Sequence, residues 1–467
     1  MLPSSLIQSL QTVKGFEQQA FEAVHASGEQ ITSIRFNREK AIGVRQEAEG
    51  DRQEDALSFN HHSTLLIDAP VLWCPDAYYL TARPSFTFDP VFHAGAYYVQ
   101  EASSMFLWEV LKQTVGETAQ QKVLDLCAAP GGKSTLLASY FTDGLIVANE
   151  VIKSRAAILT ENITKWGADH VVVTNNDPKD FQRLENFFDV MVIDAPCSGS
   201  GLFRKDANAI NEWSEENVNL CSLRQQRIVA DVLPALKEGG VLIYSTCSYS
   251  KQEDEDVLDW LVEELQVSSC KLQINADWNI VEVKSDAHKA FGYRFYPDKI
   301  KGEGFFIAAF KKTTGGVETR LKEQVLTVPS KQEMAQIQSF ISLPEEYVFF
   351  KQNESFRTIK QQWFTALKLL ARHLYIKKAG IELGSIKGKD FIPSHELAIS
   401  TLPLQSFAAI ALDEQQALQY LRKKEVIADG PKGWCLVTYC GLPLGWVKVL
   451  PNRINNYYPS EWRILKD

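Results

Sequence analysis

The sequence lacks the cysteine patterns that mark metal centres and disulfide frameworks. Its 8 cysteines are irregularly spaced, and no two of them form a CxxC pair. This spacing argues against a zinc site and against structural disulfides, so we expect reduced thiols and no bound metal. A set of five should pack as small apolar side chains: Cys74, Cys221, Cys270, Cys435 and Cys440.

Long apolar runs and an excess of positive charge are also absent. No stretch of about eighteen apolar residues is present, and the N-terminus has the pattern of an amphipathic helix rather than of a secretion signal. We therefore expect a cytoplasmic protein. The net charge of -9 argues against a protein that coats nucleic acid over its whole surface, although local basic patches can still bind phosphates.

The length of the chain predicts several domains, because 467 residues exceed what one hydrophobic core usually serves. Residues 1–70 have the pattern of a small α+β unit, with a polar loop at 47–63. The longest unit is an α/β domain at 71–315. A linker with a basic helical segment follows at 316–390, and a compact β-rich unit occupies 391–467.

In the central part of the chain, short apolar runs alternate with helical patterns. The runs are "KVLDLCAA", "GLIVANE", "HVVVTNND", "FDVMVIDAP", "GGVLIYSTCS" and "GFFIAAF". Runs that are apolar throughout are typical of parallel strands covered on both faces. The pattern predicts a doubly wound α/β fold, which binds its ligands at the carboxyl ends of the strands.

The stretch "VLDLCAAPGGKSTLLASYF" predicts a strand, a Gly-rich turn and a helix. Such a turn brings backbone N–H groups and a helix N-terminus close to a ligand. It is not a P-loop, because Cys127 stands where that motif needs glycine and Pro130 lacks an N–H group. The dinucleotide motif GxGxxG is absent as well.

An acid follows each of three successive predicted strands: Glu150, Asp177 and Asp194. Acids at these places suit a cofactor that has ribose hydroxyls, an amine and a cationic centre but no phosphate, as S-adenosylmethionine has. Asn175 and Asn176 could serve in place of Asp177. The alternative is that the acids only cap the helices that follow.

Two predicted strands also end on a thiol, Cys197 in "DAPC" and Cys247 in "STCS". Neighbouring strands would bring both thiols to one edge of the sheet. An activated cysteine is a nucleophile, and a second group nearby can move a proton. Spacing alone does not decide which cysteine attacks.

The motifs "DLCAAPGGKS", "DAPCSGSGLFRKD", "STCSYSKQEDEDVL" and "GEGFF", in this order, resemble those of the Sun/Fmu type of RNA cytosine-carbon-5 methyltransferases. "SIRFN" and "AYYVQEASSM" resemble the N-terminal part of that family, and the tail "GLPLGWVKVLPNRINNYYPSEWRI" resembles the PUA-like domain of its bacterial 16S rRNA members. The resemblance implies a Rossmann-like core that uses S-adenosylmethionine, with an α+β N-terminal extension and a PUA-like β-rich C-terminal domain. The implied product is 5-methylcytosine in RNA.

The resemblance also implies roles for single residues. It gives cofactor contacts to Cys127, Ala128, Ala129, Pro130, Gly131, Gly132, Lys133, Glu150, Asp177 and Asp194. Cys247 would attack carbon 6 of cytosine, and Cys197 would help to release the product. Asp194 would bind the flipped base, and Lys205 would orient Asp194 or hold a phosphate. In the alternative, Arg204, Lys205 and Asp206 form only a surface charge cluster.

RNA is the expected partner, most of all 16S rRNA or the small ribosomal subunit, and we expect a monomer without membrane contact. Residues 351–390 hold nine Lys or Arg against three acids. The proposed RNA-contacting lysines are Lys377, Lys378, Lys387 and Lys389, and the tail adds Trp446, Lys448, Arg453, Tyr457, Tyr458 and Trp462. Two alternatives stay open: methylation of transfer RNA, and an RNA-binding or ribosome-assembly factor without catalysis.

Overall fold

The computed structural model describes residues 2–40, 65–116, 120–315, 322–404 and 407–466. The loop expected at 47–63 lies outside these residues. Within them, no helix is both long enough and apolar enough to cross a bilayer.

The N-terminal unit begins with two short helices, α1 (Ser4–Leu10) and α2 (Gln18–Ala26). The sequence pattern suggested one helix here, but Gly15 adopts a φ of +85° between the two segments. A four-stranded antiparallel sheet follows in the order β2-β3-β1-β4. Its elements are β1 (Thr32–Phe36), β2 (Ile67–Pro70), β3 (Ala77–Leu80), α3 (Pro90–His93) and β4 (Tyr97–Val99).

The boundary expected after residue 70 falls inside this sheet. β3 and β4 lie beyond that boundary, and both pair with β1. Hydrogen bonding of the strands therefore extends the N-terminal unit to about residue 100.

The central unit is a ten-stranded sheet in the order β11-β12-β13-β9-β8-β5-β6-β7-β16, with β10 paired to β13. Its first strands are β5 (Lys122–Asp125), β6 (Leu145–Asn149), β7 (Val171–Thr174), β8 (Phe188–Asp194) and β9 (Leu236–Thr246). These five run parallel to one another. The other five strands are β10 (Val267–Ser269), β11 (Val281–Lys284), β12 (Phe291–Phe295), β13 (Phe305–Lys312) and β16 (Ile376–Ala379), which comes from the C-terminal part of the chain.

Helices cover both faces of this sheet, because successive side chains of a strand point to opposite sides. Val123 packs in the core on one face and Leu124 in the core on the other. The helices are α4 (Leu107–Thr114), α5 (Gly132–Tyr140), α6 (Lys153–Trp166), α7 (Ala207–Glu212), α8 (Glu215–Val232) and α9 (Glu255–Leu265). The expected α/β fold class is confirmed.

The C-terminal part contains two further four-stranded sheets, β14-β15-β17-β18 and β19-β20-β21-β22. The first consists of β14 (Tyr347–Gln352), β15 (Ser355–Lys360), β17 (Ile381–Lys387) and β18 (Asp390–Pro393). The same stretch of chain also contains α10 (Lys331–Gln338), α11 (Gln361–His373) and the strand β16 (Ile376–Ala379). The second includes α12 (His395–Ala398), β19 (Ala409–Ala411), α13 (Glu414–Leu421), β20 (Gly433–Tyr439), β21 (Leu442–Leu450) and β22 (Arg453–Asn456).

The structure differs from the expected division at residue 390 in two ways. The segment 351–390 is only partly helical, because strands flank α11 on both sides. The boundary itself cuts β18, which pairs with β17 of the same segment. One member of the segment, β16, does not join the small sheet but pairs antiparallel with β7 at the edge of the central sheet.

Candidate active site

The Gly-rich loop from Cys127 to Lys133 connects β5 to α5 at the carboxyl edge of the sheet. Gly131 takes a φ of +120° directly before the helix, a conformation that side chains rarely adopt. Two side chains of α6 hold the loop through its carbonyl oxygens: Arg155 donates to Ala129 over 2.9 Å and Asn162 donates to Pro130 over 2.8 Å. The loop is therefore fixed by the neighbouring helix.

Carboxylates stand at the ends of four adjacent parallel strands. Asp125 ends β5 and Asp194 ends β8, while Glu150 directly follows β6 and Asp177 lies three residues after β7. Because the strand order is β8-β5-β6-β7, the four acids form one row. Asp125 was not singled out on sequence, although it ends the same predicted strand.

The partners of these acids are N–H groups, a hydroxyl and a guanidinium. Glu150 is buried, accepts from the Ile152 N–H over 2.9 Å and lies 3.4 Å from Arg155. Asp177 accepts from the Lys179 N–H over 3.2 Å, which is the capping role of the alternative interpretation. Burial raises the pKa of Asp125 to about 7, while a hydrogen bond from Ser134 opposes that rise.

Asn175 and Asn176, the substitutes considered for Asp177, are engaged elsewhere. The Asn175 amide donates to the carbonyl oxygens of Glu150 and Val151. The Asn176 amide donates to the Tyr375 carbonyl over 3.0 Å and accepts from the Tyr375 N–H over 2.8 Å. Both side chains hold the strand-end loops in place.

The residues present fit S-adenosylmethionine. A row of four carboxylates repels phosphate but suits a cationic ligand with hydroxyl and amine groups. One carboxylate oxygen of Asp125 is buried without a hydrogen-bond partner among the described residues. Burial raises the pKa of Cys127 far above its usual range, so that side chain stays a neutral thiol in the loop.

Cys197 and Cys247 lie at the ends of the neighbouring strands β8 and β9, and their Sγ atoms are 2.9 Å apart. This separation is longer than the ~2.05 Å of a disulfide bond, and both cysteines are free. A hydrogen bond with Cys247, together with burial, raises the pKa of Cys197 well above its ordinary value. The two thiols therefore form a hydrogen-bonded pair.

A buried carboxyl group, Glu253, ties the two cysteine loops together. It accepts from the Ser198 N–H over 2.8 Å, from the Ser198 hydroxyl over 2.5 Å and from the Ser248 hydroxyl over 2.6 Å. Gln225 of α8 donates to it over 3.2 Å and to the Pro196 carbonyl over 3.0 Å. The serines that follow the two cysteines, Ser198 and Ser248, therefore share Glu253 as their acceptor.

Glycines allow the loops around Cys197, Cys247 and Gly304 to approach one another closely. The Gly201 N–H donates to the Cys247 carbonyl over 2.8 Å. A Cβ on Gly201 would lie 2.5 Å from the Gly304 carbonyl oxygen and 2.8 Å from that of Cys247, both rigid backbone atoms. The motif "GEGFF" therefore forms part of the wall around the thiols.

Asp194 is held by a different lysine from the one expected. Lys133 Nζ lies 2.8 Å from Asp194 Oδ2, and the Ser245 hydroxyl donates to Oδ1 over 2.8 Å. Burial alone would lower the pKa of Lys133, but the charge of Asp194 and, more weakly, of Cys247 raises it. Lys205 is exposed and, within the described residues, has no ion pair with Asp194.

The neighbours of Lys205 have structural contacts of their own. Arg204 is buried, lies 3.6 Å from Glu303 and donates to the Glu29 carbonyl over 2.6 Å, so it links the N-terminal unit to the sheet. Asp206 caps α7 through the Asn208 N–H over 2.9 Å. These three residues therefore do not form the simple surface charge cluster considered as the alternative.

Sequence reasoning missed Glu253, Gln225 and Arg35. Arg35 of β1 is buried and donates to Thr135 of α5 over 2.7 Å and to Gln100 over 3.2 Å. Its position in "SIRFN" was the available signal, because a lone arginine inside a buried strand requires fixed partners. Glu253 gave no such signal, since it stands in an acidic run that is typical of a solvated helix start.

The residues proposed for RNA contact divide into buried and exposed ones. Lys378 is 1% exposed and pairs with Glu396 over 2.6 Å, so it stabilises the fold. Trp446 and Tyr458 are also buried, as core residues of the C-terminal sheets. The exposed or half-buried ones are Lys377, Lys387, Lys389, Lys448, Arg453, Tyr457 and Trp462.

Family models match three consecutive parts of the chain. The N-terminal domain of 16S rRNA methyltransferase RsmF matches residues 2–102. 16S rRNA methyltransferase RsmB/F matches 112–311, and the methyltransferase RsmF PUA domain matches 407–464. The first two intervals agree with the extension of the N-terminal sheet beyond residue 70.

Similar proteins cover most of the chain. Ribosomal RNA small subunit methyltransferase F of Shewanella piezotolerans is 31% identical over 426 residues, which is 85% of each chain. The protein of that name from Psychromonas ingrahamii is 31% identical over 411 residues, 83% of this chain and 84% of its own.

Solved structures match the central fold. A methyltransferase homolog protein from Pyrococcus horikoshii gives a TM-score of 0.51 at 26% identity and covers 67% of this chain and 100% of its own. NSun6 from the same organism, solved with SFG, gives 0.54 at 18% identity and covers 67% of this chain and 98% of its own, which supports the fold alone.

The protein has a doubly wound sheet whose carboxyl edge carries acids instead of a phosphate-binding loop. Together with these relatives, this fold and site define the protein as a methyltransferase that uses S-adenosylmethionine. Within that class, the chain belongs to the 16S rRNA methyltransferase RsmB/F family, with N-terminal and PUA domains of the RsmF type.

Proposed function

We propose that this protein methylates carbon 5 of cytosine in 16S ribosomal RNA, with Cys247 as the nucleophile and Cys197 as the group that enables release. The observation that carries the proposal is the pair of thiols 2.9 Å apart beside the ion pair of Lys133 and Asp194. Each of these groups meets one requirement of the reaction.

Carbon 5 of cytosine is too weak a nucleophile to accept a methyl group directly. A thiolate that adds to carbon 6 turns the ring into an enamine, and carbon 5 can then attack. S-adenosylmethionine supplies the electrophilic methyl group when bound. A base then removes the proton from carbon 5, the bond between sulfur and carbon 6 breaks, and the thiolate is regenerated.

The surroundings of the two thiols favour attack by Cys247. Lys133 is close enough to Cys247 for their charges to interact, and an ammonium group favours a thiolate. The pKa of Cys197 is raised, first by its hydrogen bond to Cys247 and then by burial, so Cys197 keeps its proton and can donate it in a hydrogen bond to the Cys247 sulfur.

The same hydrogen bond explains how Cys197 acts later. Once the Cys247 sulfur is bonded to carbon 6, it carries no negative charge, and the main cause that raises the Cys197 pKa is removed. Cys197 can then lose its proton to solvent and, as a thiolate, take up the proton from carbon 5. The electron pair left at carbon 5 restores the double bond to carbon 6, and the bond between carbon 6 and sulfur breaks to return a thiolate to Cys247. The two cysteines therefore act in sequence.

In this proposal, Asp194 binds the ring during attack. Lys133 and Ser245 each contact one of its oxygens, at 2.8 Å in both cases, and this fixes the plane of the carboxyl group. A carboxyl group in that plane can hydrogen-bond the exocyclic amine or the ring nitrogen of a flipped cytosine. Ribosomal RNA as substrate is supported by the names of the relatives and by the PUA domain.

Trapping the covalent intermediate tests this assignment. We expect Cys197→Ala to methylate RNA but to remain bonded to it, giving a slowly migrating band that survives heating in detergent. Cys247→Ala should give neither adduct nor methylated RNA while still binding both ligands. Cys221→Ala is the matched control, because this buried thiol of α8 lies outside the pair.

Reversed results for the two variants would exchange the roles of the cysteines. Full activity of both variants without any adduct would reject thiolate attack altogether. Bisulfite sequencing of ribosomal and transfer RNA, from cells with and without the gene, tests the substrate. A methylated cytosine that depends on the gene only in transfer RNA would overturn 16S rRNA as the target.

A further inference from the structure

The C-terminal part of the chain reaches the edge of the catalytic sheet next to Asp177. There β16 pairs antiparallel with β7, with Ile376 opposite Thr174. The residue before β16, Tyr375, is fixed by its backbone, because its carbonyl accepts from the Asn175 N–H over 3.2 Å and from the Asn176 amide. Its own N–H donates to Asn176 over 2.8 Å.

Although its backbone is fixed, the side chain of Tyr375 faces water. It is 65% exposed, one of the few large aromatic side chains so exposed in the described chain. An exposed ring on a rigid backbone is suited to stacking with a planar partner, since little conformational entropy is lost on binding.

Cationic side chains lie on the elements next to Tyr375. Arg372 lies at the end of α11, and Lys179 and Arg183 lie in the short helix Pro178–Arg183 that follows Asp177. Lys179 and Arg372 are exposed, and the Arg183 side chain is 64% exposed. Burial lowers the pKa of His373, and the charges of Arg183 and Arg372 lower it further, so both guanidinium groups act on the His373 imidazole, two residues before Tyr375.

Few acids neutralise these cations. Asp180 lies 4.0 Å from Arg183, at the limit of an ion pair, and Asp177 caps its own helix. Within the described residues, Lys179 and Arg372 have no carboxylate partner within 4 Å. In a protein of net charge -9, a local excess of cations around an exposed ring is the charge pattern that attracts a phosphate backbone.

We propose that Tyr375, Lys179, Arg183 and Arg372 form a platform for single-stranded RNA beside the target cytosine, with one base stacked on Tyr375. The inference rests on the proposed function, because it concerns the same RNA. β16 lies four strand positions from β8, or about 19 Å at the ~4.8 Å spacing of neighbouring strands. A few nucleotides span that distance, so the platform binds a flanking base and not the target.

This platform differs from the RNA contacts expected on sequence. Lys378 is excluded as a contact by its buried pair with Glu396. Lys387 and Lys389 lie at the turn between β17 and β18, in a different sheet. Recognition by stacking is tolerant of sequence, so the platform orients the strand without selecting a base.

The first test measures the dissociation constant for protein-free 16S rRNA as a function of salt. We expect the triple variant Lys179→Gln, Arg183→Gln, Arg372→Gln to lower the slope of log affinity against log salt by about 2, at ~0.7 per lost phosphate contact. The control variant Lys271→Gln, Lys284→Gln, Lys311→Gln removes the same charge at the opposite edge of the sheet and should leave the slope unchanged.

The second test separates stacking from charge. Tyr375→Ala should weaken RNA binding about tenfold, the effect expected for one lost stacked base, without altering the salt slope. Tyr375→Phe should restore the affinity. The KM for RNA should rise in Tyr375→Ala while kcat at saturating RNA and the affinity for S-adenosylmethionine stay constant, because the platform lies away from the thiols.

The outcomes also separate this inference from the proposed function. If the wild-type protein neither binds nor methylates 16S rRNA, the proposed function fails and the platform fails with it. If the wild type is active but the variants match the control, only the platform is wrong. If the variants bind protein-free rRNA normally but do not methylate assembled subunits, the face docks a protein, which also overturns the proposal.

Discussion

The loops after β5, β6 and β7 present carboxylates, whereas the loops after β8 and β9 present thiols. The carboxylates are held by main-chain N–H groups, one hydroxyl and Arg155. The thiol loops are held by Glu253, whose pKa is raised by burial. One half of the edge therefore suits a cationic ligand, and the other half carries the two thiols.

The two halves meet at Lys133 and Asp194. Lys133 belongs to the Gly-rich loop, yet its ammonium group pairs with Asp194 and influences Cys247. The positive charge that favours a thiolate is thus supplied by the cofactor half. Under the proposed mechanism, the thiols depend on Lys133 for activation and on Glu253 for position.

Removing Glu253, the acceptor shared by the two thiol loops, should have the largest effect, which is on the stability of the fold. We expect Glu253→Ala to lower the free energy of unfolding by about 3 kcal/mol, because two serine hydroxyls and one N–H lose their buried partner. Glu253→Gln keeps an acceptor oxygen and should lose less. Denaturant unfolding measures both, and equal stability of Glu253→Ala and the wild type would show that the loops hold their positions independently.

Lys133→Met tests whether the charge of Lys133 connects the carboxylate half of the sheet edge to the thiol half. We expect kcat to fall about 100-fold, because the proposed nucleophile Cys247 loses a nearby cation and Asp194 loses its ion-pair partner. Lys205→Met is the matched control and should change kcat little. A larger loss of kcat in the Lys205 variant than in the Lys133 variant would support Lys205 as the partner of Asp194, as the sequence predicted.

Glu150→Ala tests the cofactor half by itself. A carboxylate at this strand end can accept both ribose hydroxyls, so we expect a loss of about 1 to 3 kcal/mol in S-adenosylmethionine binding. Calorimetry measures the affinity. RNA binding should not change, and unaltered cofactor affinity would remove Glu150 from the site.

The smallest effect concerns the pH dependence of cofactor binding. The pKa of Asp125 is about 7, so its carboxyl group is neutral below that pH and ionised above it. Only the ionised form attracts a sulfonium, so affinity should rise a few-fold as the pH increases through 7. Asp125→Asn should bind the cofactor with little dependence on pH in that range, and a rise equal to that of the wild type would exclude Asp125 as its source.

The parts of the site that sequence could predict are those fixed by strand ends. The strands in "FDVMVIDAP" and "GGVLIYSTCS" end shortly before two residues that the structure brings side by side, Cys197 and Cys247. Parallel pairing of adjacent strands makes this position a consequence of the fold. The assignment of the attacking cysteine came from resemblance alone and stays a prediction.

The contacts between loops were not predictable from the sequence. They depend on the orientation of helices and side chains, which the spacing of residues does not encode. Lys133 and Lys205 stand in equally plausible motifs, and only the orientation of α5 brings Lys133 to Asp194. Local composition also gives no sign that strand pairing crosses the expected domain limits. Strands such as β4 and β18 find their partners far along the chain or across the expected boundary, and local composition does not show this.

The pairing of β16 with β7 also bears on folding and solubility. Without β16, the fully buried strand "VVVT" would be a bare edge with free N–H and C=O groups, which is the kind of surface that recruits other chains into aggregates. The C-terminal part of the chain supplies the strand that covers this edge. The catalytic sheet is thus completed only after synthesis has passed residue 379, and a fragment that ends at residue 315 would keep every catalytic motif while exposing an aggregation-prone edge.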